Sequence, residues 1–174
     1  MSSVYCLAQS EAQAARIADR LRTDGFTPGD ISVLFPDKRS TRDFAVDNST
    51  KMPEGAAVGA TTGAAVGGAL GWLAGIGALA IPGLGPLIAA GPIMAALSGM
   101  AAGGTLGGLS GALMGMGVPE YEAQRYEGKL KEGHLLISVH TDTSEESARV
   151  RKIFTEEKAE AISTGSETAV PSRK

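Results

Sequence analysis

The sequence offers few residues whose types and spacing could support catalysis or metal binding, and its two histidines come first. His134 and His140 lie on the same face of a predicted strand, six residues apart, with Ser138 between them. Successive strand residues rise by about 3.4 Å, so this spacing corresponds to ~20 Å. One metal ion cannot reach two ligands so far apart. We therefore expect no metal site and no nucleophile–base pair at these positions.

Two further features resemble chemical sites only superficially. The segment Gly103–Gly107 is glycine-rich like a phosphate-binding loop, but it follows no predicted strand and lacks the Lys-Ser/Thr ending of such loops. The single cysteine, Cys6, cannot form an intrachain disulfide, and its apolar neighbours predict a packed core thiol. The sequence therefore predicts a protein without enzymatic activity and without a cofactor.

The dominant feature is an uncharged segment of 65 residues, Gly55–Pro119, which contains no Asp, Glu, Lys, Arg or His. Small residues recur in it at every fourth position, the spacing that lets two membrane helices approach closely. Glycine is a poor helix former, by roughly 1 kcal/mol relative to alanine, so this many glycines indicate that close backbone contact is gained. Helix packing and oligomerisation are predicted for Gly55, Gly59, Gly63, Gly67, Gly71, Gly75, Gly91, Gly99, Gly103, Gly107, Gly111 and Gly115.

Within this segment, residues 55–118 are predicted to form a hairpin of two helices. Proline cannot donate an interior helical hydrogen bond, so the prolines confine the break to the tip. A first helix over Gly55–Ala80 would be about 39 Å long at ~1.5 Å per residue. That length is enough to cross a hydrocarbon core of about 30 Å. The predicted tip consists of Pro82, Gly83, Gly85 and Pro86.

Two environments remain open for this hairpin. In a membrane, aromatic rings near the helix ends would act as interface anchors, and the candidates are Trp72, Tyr121 and Tyr126. In the alternative, the hairpins form the dry core of a soluble homo-oligomer, because residues 81–90 carry no polar side chain of the kind a water-exposed loop usually has. For Tyr121 and Tyr126, packing on the small domain is an equally good expectation.

Charge and the N-terminal residues bear on location and partners. No basic region followed by an apolar run opens the sequence, so no signal peptide is predicted. A hairpin leaves both ends on one side, so both termini of a membrane-inserted protein are predicted to be cytoplasmic; the alternative is a cytoplasmic protein. The net charge is −3 without a basic patch, so nucleic acid is not an expected partner. The expected partners are further copies of the chain and the lipid bilayer; the sequence identifies no small-molecule ligand.

The segments that flank the hairpin repeat one pattern of strand, capped helix and strand. Residues 1–54 contain a strand at Val4–Ala8, a helix capped by Ser10 with Gln13 completing a capping box, and a strand at Ile31–Phe35. Residues 119–163 contain a helix beginning at Pro119, a strand at Leu135–His140, a helix capped by Thr143 with Glu146, and a strand at Ala159–Ser163. Residues 164–174 are expected to be a disordered tail.

Two βαβ units in one chain predict an α+β fold of the ferredoxin-like class. Such a sandwich is one antiparallel sheet with two helices on one face. Here the connection between the second and third strands would be enlarged into the glycine-zipper hairpin. Neither unit can bury its apolar face alone, so the two ends of the chain are expected to fold against each other.

Several motifs resemble the bacterial heat-induced general stress protein family. The similarity covers roughly residues 4–163, and its most specific parts are the hairpin tip and the Val-Pro-Glu-Tyr-Glu segment. It implies a stress-associated bacterial protein, often membrane-associated, and it supplies no catalytic residues. The motifs are Thr41–Ala45, Lys51–Gly55, Gly71–Gly77, Ala80–Pro86, Gly117–Glu122 and Tyr126–Gly128.

The function predicted from these features is non-enzymatic. We expect a stress-associated bacterial protein that is held in the membrane by a glycine-zipper helical hairpin, which also drives homo-oligomerisation. The alternative is a soluble homo-oligomeric scaffold or binding module whose hairpins form the buried core of the assembly.

Overall fold

The computed structural model describes residues 2–36, 77–81, 85–93, 97 and 108–166 of the chain. Within these residues the architecture is α+β, as the sequence predicts. The elements in chain order are β1 (Ser2–Ala8), α1 (Glu11–Thr23), β2 (Ile31–Pro36), β3 (Gly77–Ile81), β4 (Gly85–Ala90), α2 (Gly108–Gly115), α3 (Glu120–Lys131), β5 (Leu135–Thr141), α4 (Ser144–Glu156) and β6 (Glu160–Ser166).

One antiparallel sheet joins these strands in the order β3-β4-β2-β5-β1-β6. The two βαβ units interleave, because β5 lies between β1 and β2 and pairs with both. Val139 of β5 lies opposite Val4 on one side and Ile31 on the other. The two ends of the chain therefore build a single sheet, which confirms that they fold against each other.

Helices α1 and α4 cover one face of this sheet and bury what we call the first core. Alternate residues of β1, β2 and β5 point into it, together with the apolar faces predicted for both helices. Cys6 is fully buried there, and burial raises the pKa of its thiol well above the ordinary value, which confirms a packed rather than reactive cysteine. The buried members are Val4, Cys6, Ala8, Ala14, Ile17, Ala18, Leu21, Phe26, Ile31, Val33, Ala90, Leu135, Ile137, Val139, Val150, Ile153 and Phe154.

The opposite face carries a second core, under helices α2 and α3. The sequence predicted helices on one face only, and this expectation is wrong for the described residues. The strands place large apolar side chains on both faces, as in sheets that are covered on both sides. The second core consists of Tyr5, Leu7, Leu34, Leu87, Ala89, Ile93, Leu97, Leu109, Ala112, Leu113, Val118, Ala123, Tyr126, Leu130 and Leu136.

Side-chain caps start the two helices of the first core. Thr143 and Glu146 form the complete capping box predicted for α4, since each side chain bonds to the other residue's backbone N–H. At α1 the Ser10 hydroxyl accepts a hydrogen bond from the Gln13 backbone N–H, as predicted. The side-chain Oε1 of Gln13 instead accepts from the backbone N–H of Gln9, at 2.8 Å, and not from that of Ser10. The second half of that predicted capping box is therefore absent.

The uncharged segment departs from the predicted helical hairpin at residues 77–81 and 85–90. Gly77–Ile81 and Gly85–Ala90 are strands that pair with each other, where the sequence predicted the end of a helix and an irregular tip. Burial explains the difference in β4: Leu87 and Ala89 enter the second core, whereas Ala90 enters the first. This alternation has the period of a strand. The predicted helix over residues 55–76 lies outside the described residues.

Two element boundaries also differ from the prediction. Helix α3 begins at Glu120, one residue after Pro119. Strand β6 runs to Ser166, so residues 164–166, which were expected to belong to a disordered tail, pair with β1 instead. Tight packing accompanies this pairing, since a Cβ at Gly165 would lie 3.0 Å from the carbonyl oxygen of Gly117. Residues 167–174 lie outside the described part.

Candidate functional site

The described part of the uncharged segment enlarges the sheet beyond the two βαβ units. Strand β4 pairs with β2 in the register Val33–Ala90 to Pro36–Leu87, and β3 then pairs with β4. Among the described strands, β3 has a partner on one side only. Its sequence, Gly-Ala-Leu-Ala-Ile, contains no charge and no proline. Natural edge strands usually carry charged residues or proline, which prevent pairing with another chain. We call β3 the apolar edge strand.

Strand β4 fixes this apolar edge strand to the domain. It is an interior strand, flanked by β3 and β2, so its backbone groups have ladder partners on both sides. Leu87 is fully buried in the second core and packs in a cluster that includes Leu34 and Leu136. Burying a leucine side chain contributes roughly 1.5–3 kcal/mol. This piece of the uncharged segment is therefore protein core.

Gly91 ends β4 in a conformation that a helix-packing glycine would not adopt. Its φ is +84°, and a Cβ there would lie 2.1 Å from the carbonyl oxygen of Ile31. Two residues later, the Ile93 backbone N–H donates a 3.0 Å hydrogen bond to the Ser32 hydroxyl. The predicted role of Gly91 in a helix–helix stripe is therefore wrong. Its lack of a side chain lets the chain lie directly against β2.

Helix α2 is the described portion of the predicted second arm, and it is helical as predicted. Leu109 and Leu113 are fully buried against the sheet, whereas Gly111 is half-buried and Gly115 is exposed. The two predicted packing glycines therefore lie away from the most buried side of the helix. Whether they pack against another helix stays a prediction.

A carboxylate of α3 fixes the start of α2. The Ser110 backbone N–H donates a hydrogen bond of 3.1 Å to Oε2 of Glu127, whose other oxygen accepts from the Lys131 ammonium at 3.0 Å. Burial alone would raise the pKa of Glu127, but the hydrogen bonds from Lys131 and Ser110 outweigh it, and the pKa is lowered. The uncharged segment is thus tied to the charged domain by a specific polar contact.

The two tyrosines predicted as interface anchors differ in position. Tyr126 is fully buried, and its hydroxyl lies 2.6 Å from the Ser163 hydroxyl and 2.7 Å from the Ala161 carbonyl oxygen. Burial raises the pKa of this phenol. An anchoring role for Tyr126 is therefore wrong, and the alternative of packing on the domain is confirmed. Tyr121 is 74% exposed, so its anchoring role stays a prediction.

The remaining residues predicted for the hairpin fall into two groups. Gly85 and Pro86 are the first residues of β4 rather than part of an irregular tip. The following lie outside the described residues: Gly55, Gly59, Gly63, Gly67, Gly71, Trp72, Gly75, Pro82, Gly83, Gly99, Gly103 and Gly107.

The structure also brings together polar residues for which the sequence predicted no shared role. His140 lies opposite Ser3 across strands β5 and β1, with 3.4 Å between Nδ1 and the hydroxyl oxygen. Ser138, which the sequence analysis noted only as a spacer, lies opposite Ser32. The sequence signal for this group was the presence of polar residues at alternating positions in otherwise apolar strands. In the described portion of the chain, no cluster of three or more His, Cys, Asp or Glu could hold a metal ion.

The last observations concern the length of the helices and the search for related proteins. The helices in the described ranges are all too short or too polar to span a bilayer. Searches of protein-family models, of curated proteins and of solved structures find no match to this chain.

Proposed function

We propose that this chain is a non-enzymatic, self-associating bacterial protein in which the uncharged segment serves as protein core. One observation carries the proposal. The described residues of that segment supply a large share of the second core, packed with Leu34 and Leu136: Leu87, Ala89, Ile93, Leu97, Leu109, Ala112 and Leu113. Apolar residues used in this way are already removed from water by their own domain. The stress association rests on the resemblance of the sequence motifs alone.

Self-association would use the apolar edge strand and the remaining glycine stripe. Strand β3 offers a row of backbone groups without a charged side chain, and an antiparallel strand can pair with its own copy about a two-fold axis. The occupant we infer is therefore a second copy of β3, which would continue the sheet from one protomer into the next. The glycines outside the described residues would add close helix contacts between copies.

The test is the mass of the full chain purified without detergent, measured by light scattering after size exclusion. We expect a defined homo-oligomer. Ala78→Lys places a charge in β3 opposite the half-buried Ile88 and should reduce the mass. The matched control is Thr164→Lys, an exposed position on β6 at the opposite edge of the sheet, which should leave the mass unchanged. A monomeric wild-type protein would contradict self-association.

The glycine stripe is tested separately. Gly67→Leu and Gly107→Leu should disrupt assembly if helices meet backbone to backbone at these positions. An oligomer that loses mass with Ala78→Lys but not with either leucine variant would assign the contact to the edge strand alone.

A second candidate function is attachment to the bacterial inner membrane with both termini cytoplasmic. It is favoured by the exposure of two large apolar side chains where the uncharged segment ends, Met114 at 41% and Tyr121 at 74%. Alkaline carbonate extraction of cell membranes tests it. Retention in the pellet is expected for a membrane-inserted protein, and release into the supernatant would contradict insertion.

The finer fold assignment is also a proposal. The order β6-β1-β5-β2 and the helices between β1 and β2 and between β5 and β6 support a ferredoxin-like unit. The uncharged segment would then be an insertion between its second and third strands, with β3 and β4 as added strands rather than as part of a helical hairpin.

A further inference from the structure

A small polar cavity opens at one end of the sheet, beneath the chain that follows Gly91. Its volume is about 90 Å³. The floor is formed by serines that neighbouring strands place on the same face: Ser3 on β1, Ser32 on β2 and Ser138 on β5. All three side chains belong to buried residues, with exposures of 6%, 4% and 8%. Hydroxyls that line a cavity in this way can form hydrogen bonds with a molecule that enters it, whether water or a ligand.

The hydrogen-bond capacity of these hydroxyls is only partly used within the described residues. The Ser32 hydroxyl accepts from the Ile93 backbone N–H, so its own hydrogen is available to donate. The Ser138 hydroxyl makes no hydrogen bond to any side chain or backbone group that the structure describes. Two donors thus converge on the cavity from adjacent strands, where Ser32 and Ser138 are directly opposite each other.

The mouth of the cavity supplies an acceptor, and one wall is apolar. Asp30 lines the mouth, and its Oδ2 is held by the backbone N–H and hydroxyl of Thr27 at 2.8 and 2.7 Å. Oδ1 of this carboxylate is the oxygen that remains for a ligand. Pro92 and Ile93 form an apolar wall beside the serines. A ligand that fits must donate a hydrogen bond to Asp30, accept hydrogen bonds from the serines and place C–H groups against the apolar wall.

The volume of the cavity limits the ligand, or the part of it that enters, to a few heavy atoms. An apolar cavity of about 150 Å³ holds benzene, which has six heavy atoms, so ~90 Å³ holds about four. A vicinal diol consists of two carbons and two hydroxyls, each of which both donates and accepts. His140 also lines the cavity, but an anion there would lie against the Asp30 carboxylate. A purely apolar group would leave the serine hydroxyls without partners.

We propose that this cavity binds the vicinal diol of a small polyol or sugar. One hydroxyl accepts from Ser138 and Ser32, and the other donates to Asp30, while the carbons lie against Pro92 and Ile93. The remainder of a larger ligand extends past Asp30 into solvent. This binding site does not depend on the oligomeric state.

The test is a titration of the ¹⁵N-labelled full chain with propane-1,2-diol and, separately, with propan-1-ol, followed at the Ile93 backbone amide by NMR. The diol should give saturable shifts at Ile93. Propan-1-ol lacks one hydroxyl and should bind about three- to tenfold more weakly, the effect of one hydrogen bond. Ser138→Ala should weaken diol binding by a similar factor, whereas Ser144→Ala, an exposed control at the start of α4, should not.

Four outcomes would overturn the proposal. Absence of saturation with the diol means that the cavity holds only water. Equal affinity for propan-1-ol means that the second hydroxyl makes no contact. Tighter binding of inorganic phosphate or propylammonium at the same amide means that the ligand class is wrong. If folded Ser138→Ala binds the diol with unchanged affinity, the diol binds at a site that does not include Ser138. The comparison of the two alcohols uses wild-type protein, so it stands even if the variant does not fold.

Discussion

Gly91 is the position where a single methyl group tests the packing of the uncharged segment on the sheet. An added Cβ would lie 2.1 Å from the Ile31 carbonyl oxygen and 2.9 Å from the Ser32 Cα, both of which are backbone atoms of β2. Neither can move away as the end of a flexible side chain would. Gly91→Ala must therefore push the end of β4 away from β2, and the hydrogen bond from Ile93 to Ser32 would break with it.

The expected loss in the free energy of unfolding is the sum of two contributions. A non-glycine residue at φ +84° costs about 1–2 kcal/mol. Losing the bond to Ser32 and leaving the Ile93 N–H buried costs a further 1–3 kcal/mol. We expect Gly91→Ala to lower the free energy of unfolding by about 2–5 kcal/mol, or the melting temperature by about 10 °C. Urea unfolding followed by circular dichroism measures the first quantity, and a thermal scan the second.

Two glycines provide matched controls for the same substitution. Gly25 has φ +96° with no atom within 4 Å of an added Cβ, so Gly25→Ala should lose only about 1 kcal/mol, from backbone strain alone. Gly128 lies in α3 with open space around an added Cβ, so Gly128→Ala should gain about 0.5–1 kcal/mol. A Gly91→Ala protein no less stable than Gly25→Ala would refute the close packing of the uncharged segment on β2.

Further predictions concern the caps, the buried phenol and the thiol. Thr143→Ala removes the capping box of α4 and should cost about 1 kcal/mol in urea unfolding, whereas an unchanged midpoint would deny the cap any energetic role. Tyr126→Phe removes the hydroxyl bonded to Ser163 and Ala161 and should cost about 1–3 kcal/mol; a variant as stable as wild type would contradict those bonds. Because burial raises the pKa of Cys6, its reaction with iodoacetamide at pH 8 should be much slower in native protein than in urea, and equal rates would contradict its burial.

Much of the domain outside the uncharged segment could be predicted from local pattern. Ser10 and Thr143 mark helix starts, and Gly25 ends α1 with φ +96°. The apolar positions of α1 recur at helical spacing, as in Ile17 and Leu21. These signals are local in sequence, and each predicted feature is present in the structure.

The second core was missed although the sequence carried a signal for it. Strands β1 and β5 are nearly continuous apolar runs, with Leu7 and Leu136 between the residues that face the first core. Such runs are typical of strands covered on both faces. A ferredoxin-like sandwich has helices on one face only, so that prediction left no place for α2 and α3 on the other.

The uncharged segment was harder to predict because small apolar residues fit both helix and strand. Helix spacing and strand alternation are both weak in β3 and β4, so strand pairing decides the conformation: β4 pairs with β2, and β3 pairs with β4. Gly91 matched the four-residue spacing, yet its φ of +84° is set by contact with Ile31, which is distant in sequence. The serine cavity likewise depends on the sheet register, since Ser32 and Ser138 meet only after β2 and β5 pair.

Amide hydrogen exchange of β4 in detergent-free protein tests most directly whether the uncharged segment is protein core. Both β4 and β5 are interior strands, so the amides of Leu87–Ala90 should exchange nearly as slowly as those around Leu136. Exchange at Leu87–Ala90 as fast as at Gly29, in the exposed turn before β2, would contradict the account.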